Sequence, residues 1–201
     1  MKKVAIYLAG SIQKGHETHE SYWTAAHMEI LKKELKNVIF LNPAFRTDNL
    51  SDQLSVFGRD MLQVFCSHVV FVDARDRRGL GVGAEMMWAK VNRIPVVTWA
   101  PKETHYHKSK TTILNVPVEN FIHPFVESLS DAIVETVADG AAWIQKWMAD
   151  PSMKIKGIDH VALAMEHYKE SQLIHDLPMK ELFQMNEELQ KRMQRPLSRN
   201  I

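Results

Sequence analysis

The chain has 201 residues, 45% hydrophobic and 24% charged, with a net charge of +1 and one cysteine. That balance is ordinary for a globular protein and excludes a global field that would favour nucleic acid or an acidic membrane. Cys66 alone excludes an intrachain disulfide and a Cys-rich metal site, and no run is long and apolar enough to span a bilayer. The apolar run after Lys3 is too short for a signal peptide, so a cytoplasmic enzyme or binding protein is expected.

Val4 to Ala9 reads as the first and central strand. Gly10-Ser11-Ile12-Gln13-Lys14-Gly15-His16-Glu17 is a loop with two glycines and a serine, where a parallel sheet places its ligand. A helix is predicted from Thr18 or His19 to about Lys36, with Tyr22, Trp23, Ala26, Ile30, Leu31 and Leu35 as its core stripe. Val38 to Leu41 is the second strand, ended by Asn42-Pro43. Ser51 or Asp52 then caps a helix that turns Leu54, Phe57, Met61, Leu62 and Phe65 inward. Near its end Cys66 reads as a small buried residue. Gly58, in mid-helix, costs about 1 kcal/mol relative to alanine, which implies that something packs closely there.

Val69 to Val72 is the third strand, followed by a charged, glycine-rich turn and a helix from Ala84 to Val91. Strand, glycine-rich loop and helix form the anion-facing corner of a parallel α/β sheet. Glu85, just inside that helix, is unusual. The simplest reading is a first-turn carboxylate complementing the helix dipole, worth up to about 1 kcal/mol. The alternative is a carboxylate that faces a ligand.

Ile94 to Trp99 is the fourth strand. Pro101 to Pro117 is a polar excursion that reads as a lid or an oligomer contact. Its His105 and His107 have no partner at metal-ligand spacing and read as exposed loop histidines. Phe121-Ile122 is expected to be the fifth strand, and Leu129 to Met148 a helix with Ile133, Val137, Ala141, Ile144 and Trp147 on one face. Asp150-Pro151-Ser152 is a break before two further helices, about Asp159 to Asp176 and Pro178 to Arg195. The second is amphipathic through Leu182, Met185, Leu189 and Met193. The repeated β-α order predicts an α/β fold, a Rossmann-like three-layer sandwich with a five-stranded parallel sheet and right-handed crossovers. Residues 1–150 would form this domain and 151–201 a helical C-terminal extension.

In such a sheet Tyr7, Asp60 and Glu85 converge near the carboxyl edge of adjacent strands. A tyrosine and two carboxylates beside glycine-rich loops are what cleavage of an N-glycosidic bond needs: a nucleophile, a proton donor to the departing base, and a phenol to fix the nucleophile. Three blocks in order, Tyr7-Leu8-Ala9-Gly10-Ser11-Ile12, Arg59-Asp60 with Val69 to Val72 beyond, and Gly81-Val82-Gly83-Ala84-Glu85, resemble the nucleoside 2-deoxyribosyltransferase superfamily. That superfamily includes the 2'-deoxynucleoside 5'-monophosphate N-glycosidases. The resemblance runs from about Lys3 to Trp147.

The resemblance implies that Glu85 is a nucleophile forming a glycosyl-enzyme. Tyr7 would hold Glu85 and crowd the sugar 2' position, and Asp60 would contact sugar or base and share in proton transfer. Gly10, Ser11 and Ile12 would bind a 5'-phosphate, with Gly79, Gly81 and Gly83 beside the substrate. The transferases carry an aspartate where this chain has Gly79, which favours the hydrolase branch; Asp73 and Asp76 are near but out of register. Implied partners are a small-molecule nucleotide or nucleoside and further copies of the chain, as a homodimer or higher homo-oligomer. No cofactor, metal, nucleic acid or membrane is expected. A neighbouring subunit often completes the site in this family, and Ser109, Lys108 and Lys110 are the candidates for that contribution. The alternatives are base exchange between deoxynucleosides, a non-catalytic nucleotide-binding sensor, and a structural α/β protein with an interaction helix.

Overall fold

The computed structural model describes residues 3–10, 23–45, 49, 51–150 and 152–195. Ser11, Ile12 and the rest of the first loop, with Thr18, His19 and Tyr22, lie outside the described residues. The chain divides into two compact units, Met1–Lys156 and Gly157–Ile201. The first runs β1 (Val4–Ala9), α1 (Ala25–Leu35), β2 (Val38–Leu41), α2 (Gln53–Phe65), β3 (Val69–Asp73), α3 (Leu80–Val91), β4 (Val96–Trp99), β5 (His107–Ile113), β6 (Val116–Ile122), α4 (Pro124–Leu129), β7 (Ala132–Val134) and α5 (Val137–Ala149).

Five parallel strands lie in the order β2-β1-β3-β4-β7. With helices on both faces this is the Rossmann-like three-layer α/β sandwich. β3, rather than β1, is central. The period of two along the strands sorts side chains between the layers. Tyr7, Ala9, Val70 and Val72 pack with Val64 of α2 and Val82, Met86 and Ala89 of α3. Ile6, Leu8, Val69 and Phe71 pack on the other face with Leu31 of α1 and Val137, Ala141 and Ile144 of α5. Between β1 and β3 the strand order reverses, the point where open α/β sheets of this order bind ligands beyond the carboxyl ends of their strands.

Several local expectations are corrected. Helix α1 begins only at Ala25, because the Thr24 side chain accepts the His27 N–H and the His27 ring accepts the Thr24 N–H. Trp23 precedes the helix and reaches back, its indole donating to Ala9 O at 3.0 Å. Asp52 caps α2 through the Ser55 N–H. Leu54, Phe57, Leu62 and Phe65 of α2 are exposed rather than inward, because Val64 and the half-buried Val56 and Gln63 face the sheet. Cys66, the residue after α2, is exposed too. Among the described residues nothing packs at Gly58: a Cβ there would meet no atom within 4 Å.

Phe121-Ile122 is no fifth sheet strand. It ends β6, which pairs antiparallel with β5 as a separate ribbon around a two-residue turn, with Leu114 and Asn115 at φ of 46° and 68°. The Pro101 to Pro117 excursion is therefore mostly ordered strand. The fifth sheet strand is β7, whose three residues pair with Val97, Thr98 and Trp99, so the helix expected from Leu129 starts at Val137, capped by Thr136.

A buried ion pair ties the two ends of this half together. Lys90 in the last turn of α3 is fully buried against Asp131, which also accepts Val96 N–H at 2.7 Å and Lys156 N–H at 2.6 Å. Burial lowers the Lys90 pKa, and Asp131 opposes that fall.

The second unit is helical by itself: α6 (Ile158–Ser171), a 3-10 turn (Leu173–His175), α7 (Leu177–Met185) and α8 (Glu187–Met193). The single helix expected from Pro178 is two, because Asn186 leaves helical geometry and caps α8 through the Leu189 N–H at 3.0 Å. Leu182, Leu189 and Met193 line an apolar cavity of about 360 Å³ within this unit; Met185 instead is exposed. No helix among the described residues is long and apolar enough to cross a membrane.

Helix α5 lies close to the sheet at Gly140, where a Cβ would stand 2.1 Å from Phe71 Cζ. The ring is wholly buried against Trp23. Gly140→Ala is expected to lower stability by about 1–3 kcal/mol, overpacking outweighing the gain in helix propensity. Urea unfolding measures the loss, and adding Phe71→Leu should recover part of it.

Candidate active site

The candidate site forms where β1, α2 and α3 meet, on one face of the sheet. Tyr7 is buried in β1, and its hydroxyl donates to Glu85 Oε1 at 2.7 Å. Glu85 is 7% exposed, and its other oxygen, Oε2, is buried with no hydrogen-bond partner among the described residues. A buried acceptor of that kind costs about 1–3 kcal/mol, more when charged, unless a ligand or water meets it.

Glu85 is not a first-turn residue. Helix α3 begins at Leu80, with Gly79 as N-cap and no acidic residue in its first turn. Gly81 and Gly83 therefore lie in helix rather than loop: Val82 is drawn into the core, and that contact overrides the poor helix propensity of its glycine neighbours. One consequence concerns the dipole. Glu85 sits in the second turn, past the reach of the macrodipole's first-turn stabilisation. A second concerns space. Among the described residues a Cβ at Gly79, Gly81 or Gly83 would meet nothing within 4 Å, and no side chain caps the helix, whose first-turn N–H groups are suited to an anion.

Asp60 projects from the inner side of α2, its carboxylate 3.2 Å from the Arg59 guanidinium, which also donates to Phe45 O at 3.0 Å. Electrostatically the three groups act on one another. Burial, chiefly, pushes the Glu85 carboxyl from the ordinary 4.5 up to about 7; the Tyr7 hydrogen bond opposes this and the Asp60 charge adds to it. Burial and then the neighbouring Glu85 drive the Tyr7 hydroxyl far above its usual range, so it remains a donor at every working pH.

Gly10 closes β1 at the same edge, where a Cβ would come within 3.5 Å of Asp73 Cβ and of the Trp23 indole nitrogen. Ser11 and Ile12 follow, outside the described residues. Beside Gly10 the structure adds a cluster that the sequence reading passed over. Asp73, fully buried at the end of β3, takes Arg75 at 3.1 Å on both oxygens and Arg78 at 2.9 Å. The Arg75 guanidinium also lies 3.9 Å over the Trp99 ring. The signal was the Asp73-Ala74-Arg75-Asp76-Arg77-Arg78 run after a strand, which reads equally well as a solvated turn.

Other candidates fall elsewhere. Ser109 donates to Glu103, and Lys110 pairs with Glu119 at 3.3 Å across the ribbon. His105 is exposed as expected, but His107 is half-buried in β5, with its ring nitrogen 2.8 Å from Ala100 O. Among the described residues no group of three or more metal-ligating side chains stands together. A cavity of about 350 Å³ is lined by Gly79 and Gly83 at the start of α3 together with Val72, Met86, Tyr106 and His123, but by neither Tyr7 nor Glu85.

Because the folded carboxyl holds its proton up to about pH 7 while the unfolded one releases it near 4.5, Glu85 costs stability as pH rises through that window. The cost above pH 7 is at most roughly 3 kcal/mol. Glu85→Gln, which keeps the acceptor for Tyr7 without the charge, is expected to raise the melting temperature at pH 8 and change it little at pH 4. Thermal melts at the two pH values check this.

No family model matches the chain, and no curated protein matches it. Among solved structures, a conserved protein from Enterococcus faecalis V583 is similar over 72% of this chain and 99% of its own, at 17% identity and a TM-score of 0.52. A 2-deoxyribosyltransferase from Bacillus psychrosaccharolyticus is similar over 69% of this chain and 90% of its own, at 16% identity and a TM-score of 0.46. The first likeness is one of fold, and it agrees with a mixed α/β domain built on a parallel sheet.

Proposed function

We propose that the protein cleaves the N-glycosidic bond of 2'-deoxynucleoside 5'-monophosphates through a covalent intermediate on Glu85. The observation that carries this reading is the buried Glu85 carboxylate, held through one oxygen by Tyr7 and with no partner among the described residues at the other, at the switch point of the sheet. The residue pattern shared with the deoxyribosyltransferase superfamily supports it.

In this mechanism Tyr7 fixes the carboxylate by Oε1, and Oε2 attacks the anomeric carbon. The bond from that carbon to the base nitrogen breaks with its electron pair moving to the base, which takes a proton from the Asp60 side of the site. The glycosyl ester on Glu85 is then attacked by water, which returns a proton to the Asp60 side of the site, releasing 2-deoxyribose 5-phosphate and restoring the carboxylate. Tyr7, packed beside Glu85, leaves little room for a 2'-hydroxyl. We assign the N–H donors for the 5'-phosphate to the start of α3 and, on the residue pattern alone, to Gly10, Ser11 and Ile12.

A nucleophile must be ionised. The specificity constant is therefore expected to rise with pH through about 7 and level off above it. Asp60→Asn removes a neighbouring negative charge and should move that limb to lower pH; Tyr7→Phe removes the stabilising donor and should move it higher. Glu85→Ala should cost several orders of magnitude in rate with the fold retained. Base release from paired deoxynucleotides and ribonucleotides tests all three, and near wild-type turnover in Glu85→Ala would sink the assignment. Tyr7→Phe should also narrow the preference for deoxyribose.

The phosphate is expected to raise the specificity constant by about one to two powers of ten over the free nucleoside, since charge-assisted hydrogen bonds contribute roughly 1.5–3 kcal/mol each. Ser11→Ala should shrink that ratio while sparing the rate on free nucleosides. Base exchange outpacing hydrolysis on free deoxynucleosides would instead place the chemistry with transfer.

A further inference from the structure

No step of the proposed chemistry uses the cavity beside α3. Its walls are Val72 at the end of β3, Val82, Gly83, Met86 and Met87 on one face of α3, Phe125 and Leu129 on α4, and Tyr106 and His123 at the foot of the β5-β6 ribbon. Glu85, two residues beyond Gly83, is turned about 200° round the helix from it and meets Tyr7 instead. The cavity therefore borders a different face of the helix from the one that presents the carboxylate.

Three observations point to an occupant. His123 is the N-cap residue of α4, yet its side chain makes no capping hydrogen bond. Its Nδ1 is buried, with no hydrogen-bond partner among the described residues, and a ring nitrogen held out of water in this way calls for a ligand or a water to meet it. Gly83 faces the cavity. Among the described residues a Cβ there would meet nothing within 4 Å, so the chain's own packing does not require a glycine in this helix. A bare backbone lets a flat molecule lie directly on it. Finally, Leu80 and Phe125 line the cavity while 97% and 70% exposed, which leaves large apolar side chains uncovered at its mouth.

The chemistry of the walls selects the occupant. Apolar side chains and the rings of Tyr106, His123 and Phe125 match a flat aromatic surface. The thioethers of Met86 and Met87 add favourable contacts to a ring. A sugar or other polyol would leave hydroxyls unpaired against such walls, and a plain hydrocarbon would leave His123 Nδ1 unpaired. The Tyr106 hydroxyl accepts the Arg78 N–H at 2.8 Å and still has its own hydrogen to donate. At about 350 Å³ the cavity is near the lower end of ligand pockets, roughly 300–1,000 Å³, which gives room for one or two rings. We infer that it binds a flat, uncharged heteroaromatic ring, with a nitrogen-bearing edge on His123 Nδ1 and its plane against Gly83. An edge with ring nitrogens and amine hydrogens side by side meets Nδ1 in either tautomer.

The inference does not rest on the proposed reaction, because its test reads binding without turnover. The probe is 2-aminopurine, whose fluorescence falls on stacking, titrated against the full chain. Saturable quenching is expected. His123→Phe keeps a ring and loses the nitrogen, and should raise the dissociation constant about tenfold. Gly83→Leu fills the cavity from a position with open space, improves helix propensity and should abolish binding. Circular dichroism checks that both variants stay folded. Glu85→Gln should leave the dissociation constant unchanged. The 5'-monophosphate of the 2-aminopurine deoxynucleoside, titrated against Glu85→Gln, separates the two sources of such a ring: dependence on His123 assigns the ring to a nucleotide, independence to a free molecule. No saturable quenching of 2-aminopurine, the result if water alone meets Nδ1, overturns the inference. So does binding that either folded variant leaves unchanged, or that Glu85→Gln weakens as much as His123→Phe does.

Discussion

A carboxylate in the interior, held by a single phenol, is the constraint on which the candidate site depends. Removing Glu85 from water is unfavourable for its charged form, and within the described residues only Tyr7 offsets that cost. The offset works because neither partner can move. Tyr7 lies in a strand hydrogen-bonded on both sides, and Glu85 lies on a helix whose Val82 and Met86 are fixed in the core. A group held up to about pH 7 in this way is poised to exist in both protonation states under ordinary conditions, a property that surface glutamates lack.

Helix α3 transmits this constraint along the domain. Its first turn is rich in glycine, its second turn carries Glu85, and its last turn is anchored by Lys90 on Asp131. The buried ion pair is weak evidence for stability, since desolvation opposes the Coulombic gain. Its value is geometric. Asp131 also accepts two backbone N–H groups, so the end of α3 is pinned to the strands β4 and β7 that it packs against. Meanwhile α5 presses on the opposite face of β3 at Gly140, leaving the central strand no freedom to shift.

Helix α2 serves both sides of the molecule. Its inner side brings Asp60 close enough to raise the Glu85 pKa, and its outer side carries the exposed apolar face around Gly58. Any contact that orders the outer face therefore also holds the helix that bears Asp60. The charged cluster of Asp73, Arg75 and Arg78 closes the same sheet edge on the other face, beside Gly10.

The amino-acid sequence alone determined the parallel α/β class, because β-branched runs alternating with amphipathic segments have few ways to bury their apolar sides. It also pointed to Tyr7, Asp60 and Glu85 as residues that would stand near one another, since a parallel sheet brings its carboxyl-end loops to one edge whatever their separation in the chain. Only the tertiary structure decided the rest. Helical periodicity says which residues share a face but not which face meets the core, so Leu54, Phe57, Leu62 and Phe65 were read inward when Val64 had taken that place. The three-residue β7 was too short to show a period, and its identity depends on the ladder with β4. Gly81 and Gly83 looked like loop, and became helix because Val82 gains more from burial than its neighbours lose in propensity. The pairing of Asp73 with Arg75 and Arg78, and the burial of the second Glu85 oxygen without a partner among the described residues, are likewise outcomes of packing: a side chain's partners, and the water it loses, exist only once distant segments have met.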